Sequence, residues 1–241
     1  MKYLLVVLLL LAQLFPASKA LISDMKSSAP APAELTEPRT IACVGDSITY
    51  GEIPYSSGSH LLDYPTVLGE LLGDGWKVYN LGRSGASLTP PGLCYLDCKE
   101  HYKALDLGAD VYLIMLGSND SAHGYDFDAA LYEQTLKDLV EFYRKANPDT
   151  TIFLMTPPFT RAHYGTFYYS LNPWLIGSDI HEIVERVAEE QHTELLDIYA
   201  ITLEHVDWIG GDGVHFTQDG YRALGEYIYD EIEPRLKTNQ N

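Results

Sequence analysis

Cationic side chains are scarce in this sequence. Only 16 Lys and Arg stand against 34 Asp and Glu, a formal net charge of −18. Nucleic-acid binding needs clustered Lys and Arg against phosphate, so that class of partner is set aside, and dense polyanions are disfavoured as substrates. Cysteine is scarce too, with three in 241 residues. Cys43 lies in the apolar run TIACV and reads as a small buried hydrophobe. Cys94 and Cys98 are four apart, close enough to bridge in an oxidising compartment. No paired C-x-x-C and no histidine cluster accompanies these thiols, so no metal is expected. After the first twenty residues no segment has the roughly 20 apolar residues a bilayer span needs, so no stable membrane insertion is expected. Internal repeats and a second domain boundary are also lacking.

What is there begins with an export pattern. Lys2 supplies a positive start, residues 4–12 form an unbroken apolar run, and Ser18-Lys19-Ala20 puts small residues where a signal peptidase reads. Residues 1–20 therefore read as a signal peptide and 21–37, rich in Ser, Ala and Pro, as a flexible leader. Residues 38–241 read as a single domain of a secreted or periplasmic protein.

Within that domain, apolar runs of strand length alternate with amphipathic stretches. The strand candidates are Thr40–Val44, Trp76–Tyr79, Val111–Leu116, Thr151–Met155 and Glu194–Ile198. Val111–Leu116 is apolar throughout, as a parallel strand buried on both faces should be. Helical spacing appears in Leu131, Leu136, Leu139, Val140 and Tyr143, again in Ile180, Ile183, Val184 and Val187, and last in Tyr221, Leu224, Tyr227, Ile228 and Ile232, a helix that Pro234 is expected to help end. Alternating strands and helices imply βαβ units, hence an α/β three-layer sandwich around a parallel sheet. Ligands of such sheets sit beyond the carboxyl ends of the strands, which directs attention to the residues just after each one.

After the first strand comes Gly45-Asp46-Ser47, where a serine at a tight strand-to-helix turn is held exposed among backbone N–H groups. After the second comes Asn80-Leu81-Gly82-Arg83-Ser84-Gly85, whose glycines let a backbone amide approach a ligand. After the third comes Gly117-Ser118-Asn119-Asp120, with an amide NH₂ suited to polarising a carbonyl oxygen. Asn119 also stands in an Asn-Asp-Ser sequon, a modification excluded if it lines a pocket. After the fifth comes Asp212-Gly213-Val214-His215, where a carboxylate three residues before a histidine can fold back on the imidazole and fix its tautomer. Each piece alone is ordinary loop material. Their conjunction, in the order nucleophile, donor, donor, acid–base pair, is not.

The four blocks GDSITYG, NLGRSG, GSND and DGVH resemble the SGNH hydrolases, the GDSL-like lipase/esterase family, from about Thr40 to the last helix. That resemblance implies a flavodoxin-like fold with a five-stranded sheet and no metal or organic cofactor. It implies Ser47 as nucleophile, His215 as base and Asp212 as the carboxylate that orients it. The N–H groups of Ser47 and Gly85 and the amide of Asn119 become the oxyanion donors, and Asp46 the acid beside the nucleophile, in a structural or substrate-binding role. Tyr64-Pro65, IMLGSNDS and the Pro-Pro pair after the fourth strand are similar to a bacterial branch rich in carbohydrate O-acetylesterases. A serine esterase acting on short acyl, above all acetyl, esters of small molecules or carbohydrate is the expectation. Aromatic-rich Phe159–Pro173 then forms a wall of the pocket, with Arg161 and Tyr164 as substrate-binding candidates. A lipid acyl hydrolase of lysophospholipase or thioesterase type is the alternative, and a non-catalytic sugar-binding protein the reading from another class.

Overall fold

The apolar runs pair side by side in one parallel sheet: β1 (Arg39–Gly45), β2 (Trp76–Gly82), β3 (Val111–Met115), β4 (Thr151–Met155) and β5 (Glu194–Leu196). Their spatial order is β2-β1-β3-β4-β5, the flavodoxin-like winding. The computed structural model describes residues 37–60, 62–122, 124, 126–162 and 170–238; the expected signal peptide and the leader up to residue 36 lie outside the described residues. Every element named here belongs to the compact unit Pro38–Asn241.

The register levels the strand ends. Gly45 at the end of β1 pairs with Gly82 of β2 and with Met115 of β3. Whatever follows these three strands therefore emerges at one edge. The chain steps outward from β1 to β2, then back past β1 to β3, and right-handed crossovers place the intervening helices on opposite faces. On one side α2 (Tyr64–Leu72), after the single turn α1 (Ser47–Tyr50), packs against the terminal helix. On the other lie α3 (Lys99–Leu107), α4 (Ala129–Ala146) and α5 (His181–Glu190), in contact in that order. The crevice where the winding reverses opens between the ends of β1 and β3.

Buried tyrosines join the core to that edge. The hydroxyl of Tyr95 donates to Leu81 O at 2.7 Å, at the end of β2, and that of Tyr132 to Leu116 O at 2.9 Å, just past β3. Tyr221 donates to Glu52 O at 2.8 Å, and Tyr64 meets the Thr49 hydroxyl at 3.2 Å in α1. A phenol buried without a partner would carry a desolvation cost, so each ring both fills the core and holds one site loop in place.

Two features depart from expectation. β5 stops at Leu196, because Asp197 accepts the Ala200 N–H and starts α6 (Ile198–Glu204). The terminal helix, α7 (Gln218–Thr238), does not end at Pro234 but carries it inside. The missing N–H there falls on the exposed face. Buried Ile232 and Leu236, with Arg235 bonded to Glu231 and to Glu194 of β5, hold the last turn against the sheet.

Among the described residues no helix is long and apolar enough to cross a membrane.

Candidate active site

β1 hands directly to α1 with Ser47 at the first helical position. Glycine is required at 45 by close approach, since a Cβ there would lie 2.0 Å from Thr49 Oγ1. Ser47, only 7% exposed, meets His215 Nε2 with its Oγ at 2.9 Å, and His215 Nδ1 meets Asp212 Oδ2 at 2.7 Å. An ionised carboxylate can only accept, so Nδ1 carries the imidazole proton and Nε2 is left to accept from the serine hydroxyl. The other oxygen, Asp212 Oδ1, accepts the N–H groups of Val214 and His215, each at 3.0 Å. Burial pushes the Asp212 carboxyl up, but the imidazole hydrogen bond and the two amides outweigh it and hold the group below its usual range.

The Asp212–His215 turn is clamped from both ends. Ile209 and Phe216 bridge antiparallel, and Gly210 N–H donates to His215 O at 2.7 Å. Gly213 takes φ +79°, which a side chain would oppose. Thr160 Oγ1 donates to Gly213 O at 2.7 Å and Arg161 N–H does so at 2.8 Å, fastening the segment after β4 to the same turn.

Facing Ser47 is the turn Arg83–Ala86, closed by Ala86 N–H to Arg83 O at 3.0 Å. Gly85 has φ +76° while Ser84 does not share the positive φ, which makes this a type II turn. In such a turn the Ser84–Gly85 peptide is flipped relative to the commoner type I, and the flip sets the direction of the Gly85 N–H. Asn119 Nδ2 donates one hydrogen to Ala86 O at 2.8 Å and keeps a second. Asp120 ties the same loop further along, accepting from the N–H groups of Leu88 and Thr89 and the Thr89 hydroxyl. The donors after β2 and β3 are thus laced to each other. Together with the N–H of Ser47, at a helix start with no intrahelical partner, they surround a cavity of about 200 Å³ lined by Ser47, His215, Gly85, Asn119, Leu171 and Val214. Such an arrangement can deprotonate a hydroxyl and hold negative charge on an adjacent oxygen.

Family comparison agrees with this geometry. Residues 43–223 match the pattern of the GDSL-like lipase/acylhydrolase family, which is three quarters of the chain. The chain belongs to that family. This GDSL-like chain is 29% identical over 236 residues to an acetylxylan esterase of Xylanibacter ruminicola, covering 88% of this chain and 46% of the relative. It is 27% identical over 134 residues to a multidomain esterase of Ruminococcus flavefaciens, 54% of this chain and 16% of that one. The chain therefore spans about half or less of the length of the curated relatives it matches. Among solved structures, a carbohydrate acetylesterase family member from Sinorhizobium meliloti superposes with TM-score 0.65 at 21% identity, over 83% of this chain and 99% of that one. An inhibitor-bound aryl esterase of M. smegmatis gives 0.67 at 20%, over 81% and 99%. At such identities these share the fold.

Not every expected site residue of this GDSL-like chain sits where a substrate would meet it. Asp46 is buried beneath the Ser47 turn, and its Oδ1 caps α1 by accepting Ile48 N–H at 2.9 Å, an engagement that suits a structural role. Arg161 is turned from the small cavity. Its Nη2 donates to Ile209 O at 3.0 Å and Gly210 O at 2.9 Å, bracing the histidine turn. Tyr164 lies outside the described residues. The Cys94–Cys98 bridge that the spacing allows is not formed, and all three thiols are free. A tight helical turn, Tyr95–Asp97, separates the two cysteines, and each sulfur faces a backbone carbonyl, Cys94 that of Leu88 and Cys98 that of Cys94.

One lining residue escaped the sequence reading. Glu52, 1% exposed, enters the cavity wall from just behind α1 and accepts the hydroxyl of Ser84, the residue before the donor Gly85. Among the described residues one group of three could chelate a cation, His181, Glu185 and Asp197, with ligand atoms within 4.8 Å of one another. It lies off the serine site, and Asp197 Oδ1 there already accepts from the Thr156 hydroxyl and the Ala200 amide.

Asp46 has a stability consequence. Burial pushes its carboxyl up to about 6, against the lowering effect of the Ile48 amide and the Ser118 hydroxyl. The folded state then holds a proton that the unfolded chain releases near 3.8, so this contribution is present below 3.8 and is lost as pH rises through about 6. Asp46→Asn keeps the cap oxygen and removes the titration. The variant should unfold in urea with a stability gain at pH 8 of up to roughly 3 kcal/mol, two shift units at about 1.4 kcal/mol each, and with a clearly smaller difference at pH 4. Equal differences at both pH values would contradict the assignment.

Proposed function

We infer that this chain is an exported serine esterase that removes short acyl groups, chiefly acetyl, from carbohydrate. The observation that carries the reading is the unbroken hydrogen-bonded line Asp212–His215–Ser47 ending in a small cavity ringed by donors. His215 takes the proton of Ser47 as Oγ attacks the ester carbonyl. The carbonyl oxygen, now negative, is held by the N–H groups of Ser47 and Gly85 and the free hydrogen of Asn119. The C–O bond to the alcohol breaks and the alkoxide leaves with the proton from His215. Water, deprotonated by His215 in turn, attacks the acyl-serine; acid is released and Ser47 regains its hydrogen. Asp212 holds the imidazole and stabilises its charged form without leaving the ionised state.

The acetyl preference is supported by cavity size, since about 200 Å³ is below the range typical of drug-sized ligands. It is supported also by the acetylxylan esterase and carbohydrate acetylesterase relatives. The export pattern of residues 1–20 suits a polymeric substrate outside the cell. kcat/KM should fall at least about tenfold from p-nitrophenyl acetate to the octanoate, one to two methylene discriminations, and acetate should be released from acetylated xylan or acetylated simple sugars. A preference for octanoate would favour the lipid acyl hydrolase instead. Failure of a fluorophosphonate to label Ser47 would favour a sugar-binding protein.

A further inference from the structure

Beside the ester cavity lies a wider open groove of about 660 Å³ with a different lining: Phe159, Thr160, Arg161, Trp174, Ser178 and Tyr199 are on its walls, and no carboxylate is. On a chain of net charge −18 an acid-free surface groove is unusual. Its two walls continue those of the ester cavity along the backbone. Leu171 lines the cavity, Asn172 follows, and Pro173 and Trp174 line the groove. On the other side Thr160 and Arg161 hold Gly213 O, between Asp212 and the cavity residue Val214. The groove and the ester cavity are thus joined through neighbouring residues on both sides.

Trp174 is the telling residue. It is 73% exposed, more than any other large apolar side chain among the described residues. Its backbone is fixed: Asn172 Oδ1 accepts the N–H groups of Trp174 and Leu175, and Ser178 Oγ donates to Trp174 O at 2.7 Å. Behind it Phe159 and Tyr199 meet edge to face with ring centres 6.0 Å apart, and Gly177 leaves the space in which the Tyr199 ring lies. A solvent-facing indole on a fixed backbone, sharing its groove with the rings of Phe159 and Tyr199, matches a ligand with flat apolar faces, as a sugar ring has. The guanidinium of Arg161 is bonded to two carbonyls, so it offers a flat face more than a charge seeking an anion.

We propose that this groove is a subsite for the neutral sugar chain that carries the ester, binding glycosyl units beyond the acylated one. The proposal rests on the carbohydrate-ester reading above. It is tested with the full chain and its Trp174→Ala variant on an acetylated xylo-oligosaccharide, an acetylated methyl xyloside, p-nitrophenyl acetate and p-nitrophenyl octanoate. Unacetylated xylo-oligosaccharide is titrated calorimetrically into Ser47→Ala and into Ser47→Ala/Trp174→Ala. The variant should raise the oligosaccharide KM about tenfold relative to the KM for the monosaccharide and for p-nitrophenyl acetate, with kcat little moved, as loss of an anchoring Trp predicts. Binding of the unacetylated chain should weaken by a similar factor. The subsite is overturned if all four esters shift together, if the oligosaccharide gains nothing over the monosaccharide in the parent, or if only the octanoate suffers, which would give the groove to an acyl chain. If the parent cleaves p-nitrophenyl acetate but neither sugar ester, the substrate reading fails by itself. The titration then decides the groove: Trp174-dependent binding upholds it, and no binding overturns it.

Discussion

Alanine at position 47 should leave a folded protein whose kcat on p-nitrophenyl acetate is lower by on the order of 10⁴-fold or more, with no acyl-enzyme detectable by mass spectrometry. The size follows from what the hydroxyl alone supplies. His215 and the oxyanion donors remain, but the covalent route is gone and only water activated at a distance is left. The fold should tolerate the change, because the cap of α1 is Asp46 and the described contact of Ser47 Oγ is His215 Nε2. Thermal unfolding within a few degrees of the parent checks that point. Near-parental turnover in a folded Ser47→Ala protein would remove Ser47 from the mechanism and with it the esterase reading.

The sheet was legible because burial leaves a direct mark on hydropathy. β3 and the inner part of β1 are buried residue after residue, and their runs are apolar without a break. β2 was read three residues short. It is an edge strand whose last residues are held by pairing with β1, as in Gly45 with Gly82, and pairing is not written in composition. Helix α2 passed unread because Pro65 and Gly69 interrupt its pattern. Pro65 is harmless where it stands, in the first turn after the Asp63 cap. Helix α3 buries only His101 and Ala104, too little for a stripe to appear.

The site was legible for a different reason. A parallel sheet gathers whatever follows its strands, so four short motifs far apart in sequence could be assigned to one edge before any distance was known. The register brings Ser47, Gly85 and Asn119 to one cavity, and His215 joins them from the turn before α7, one helix beyond β5. Glu52 was hidden because its contact with Ser84 spans 32 positions and Glu52 itself lies in no telling pattern. Asp46 turned out structural, capping α1, and the Arg161 guanidinium is engaged by the carbonyls of Ile209 and Gly210, contacts that no sequence pattern shows.

Asp212→Asn is the sharper test of the relay, because it alters no shape. Asparagine keeps an oxygen for the Val214 and His215 amides, which Asp212 Oδ1 now accepts, so the turn should persist. What changes is the atom facing Nδ1. If the amide NH₂ points there, Nδ1 must accept, the imidazole proton moves to Nε2, and His215 can no longer take the proton of Ser47. kcat should drop by about 10⁴-fold, as carboxylate-to-amide changes in such relays do, with KM little altered. The same carboxylate also stabilises the folded chain. Its native value is depressed, so that contribution is complete above the unfolded value of 3.8 and is lost as pH falls through the lower folded value. The parent should therefore exceed Asp212→Asn in stability by a constant margin from about pH 5 upward, and the margin should shrink below about pH 4. A variant that loses turnover and shows this acid-confined convergence has lost the orienting carboxylate. One that loses turnover with an equal margin at every pH has lost its fold around the turn, and one that keeps its turnover shows that His215 needs no orienting charge.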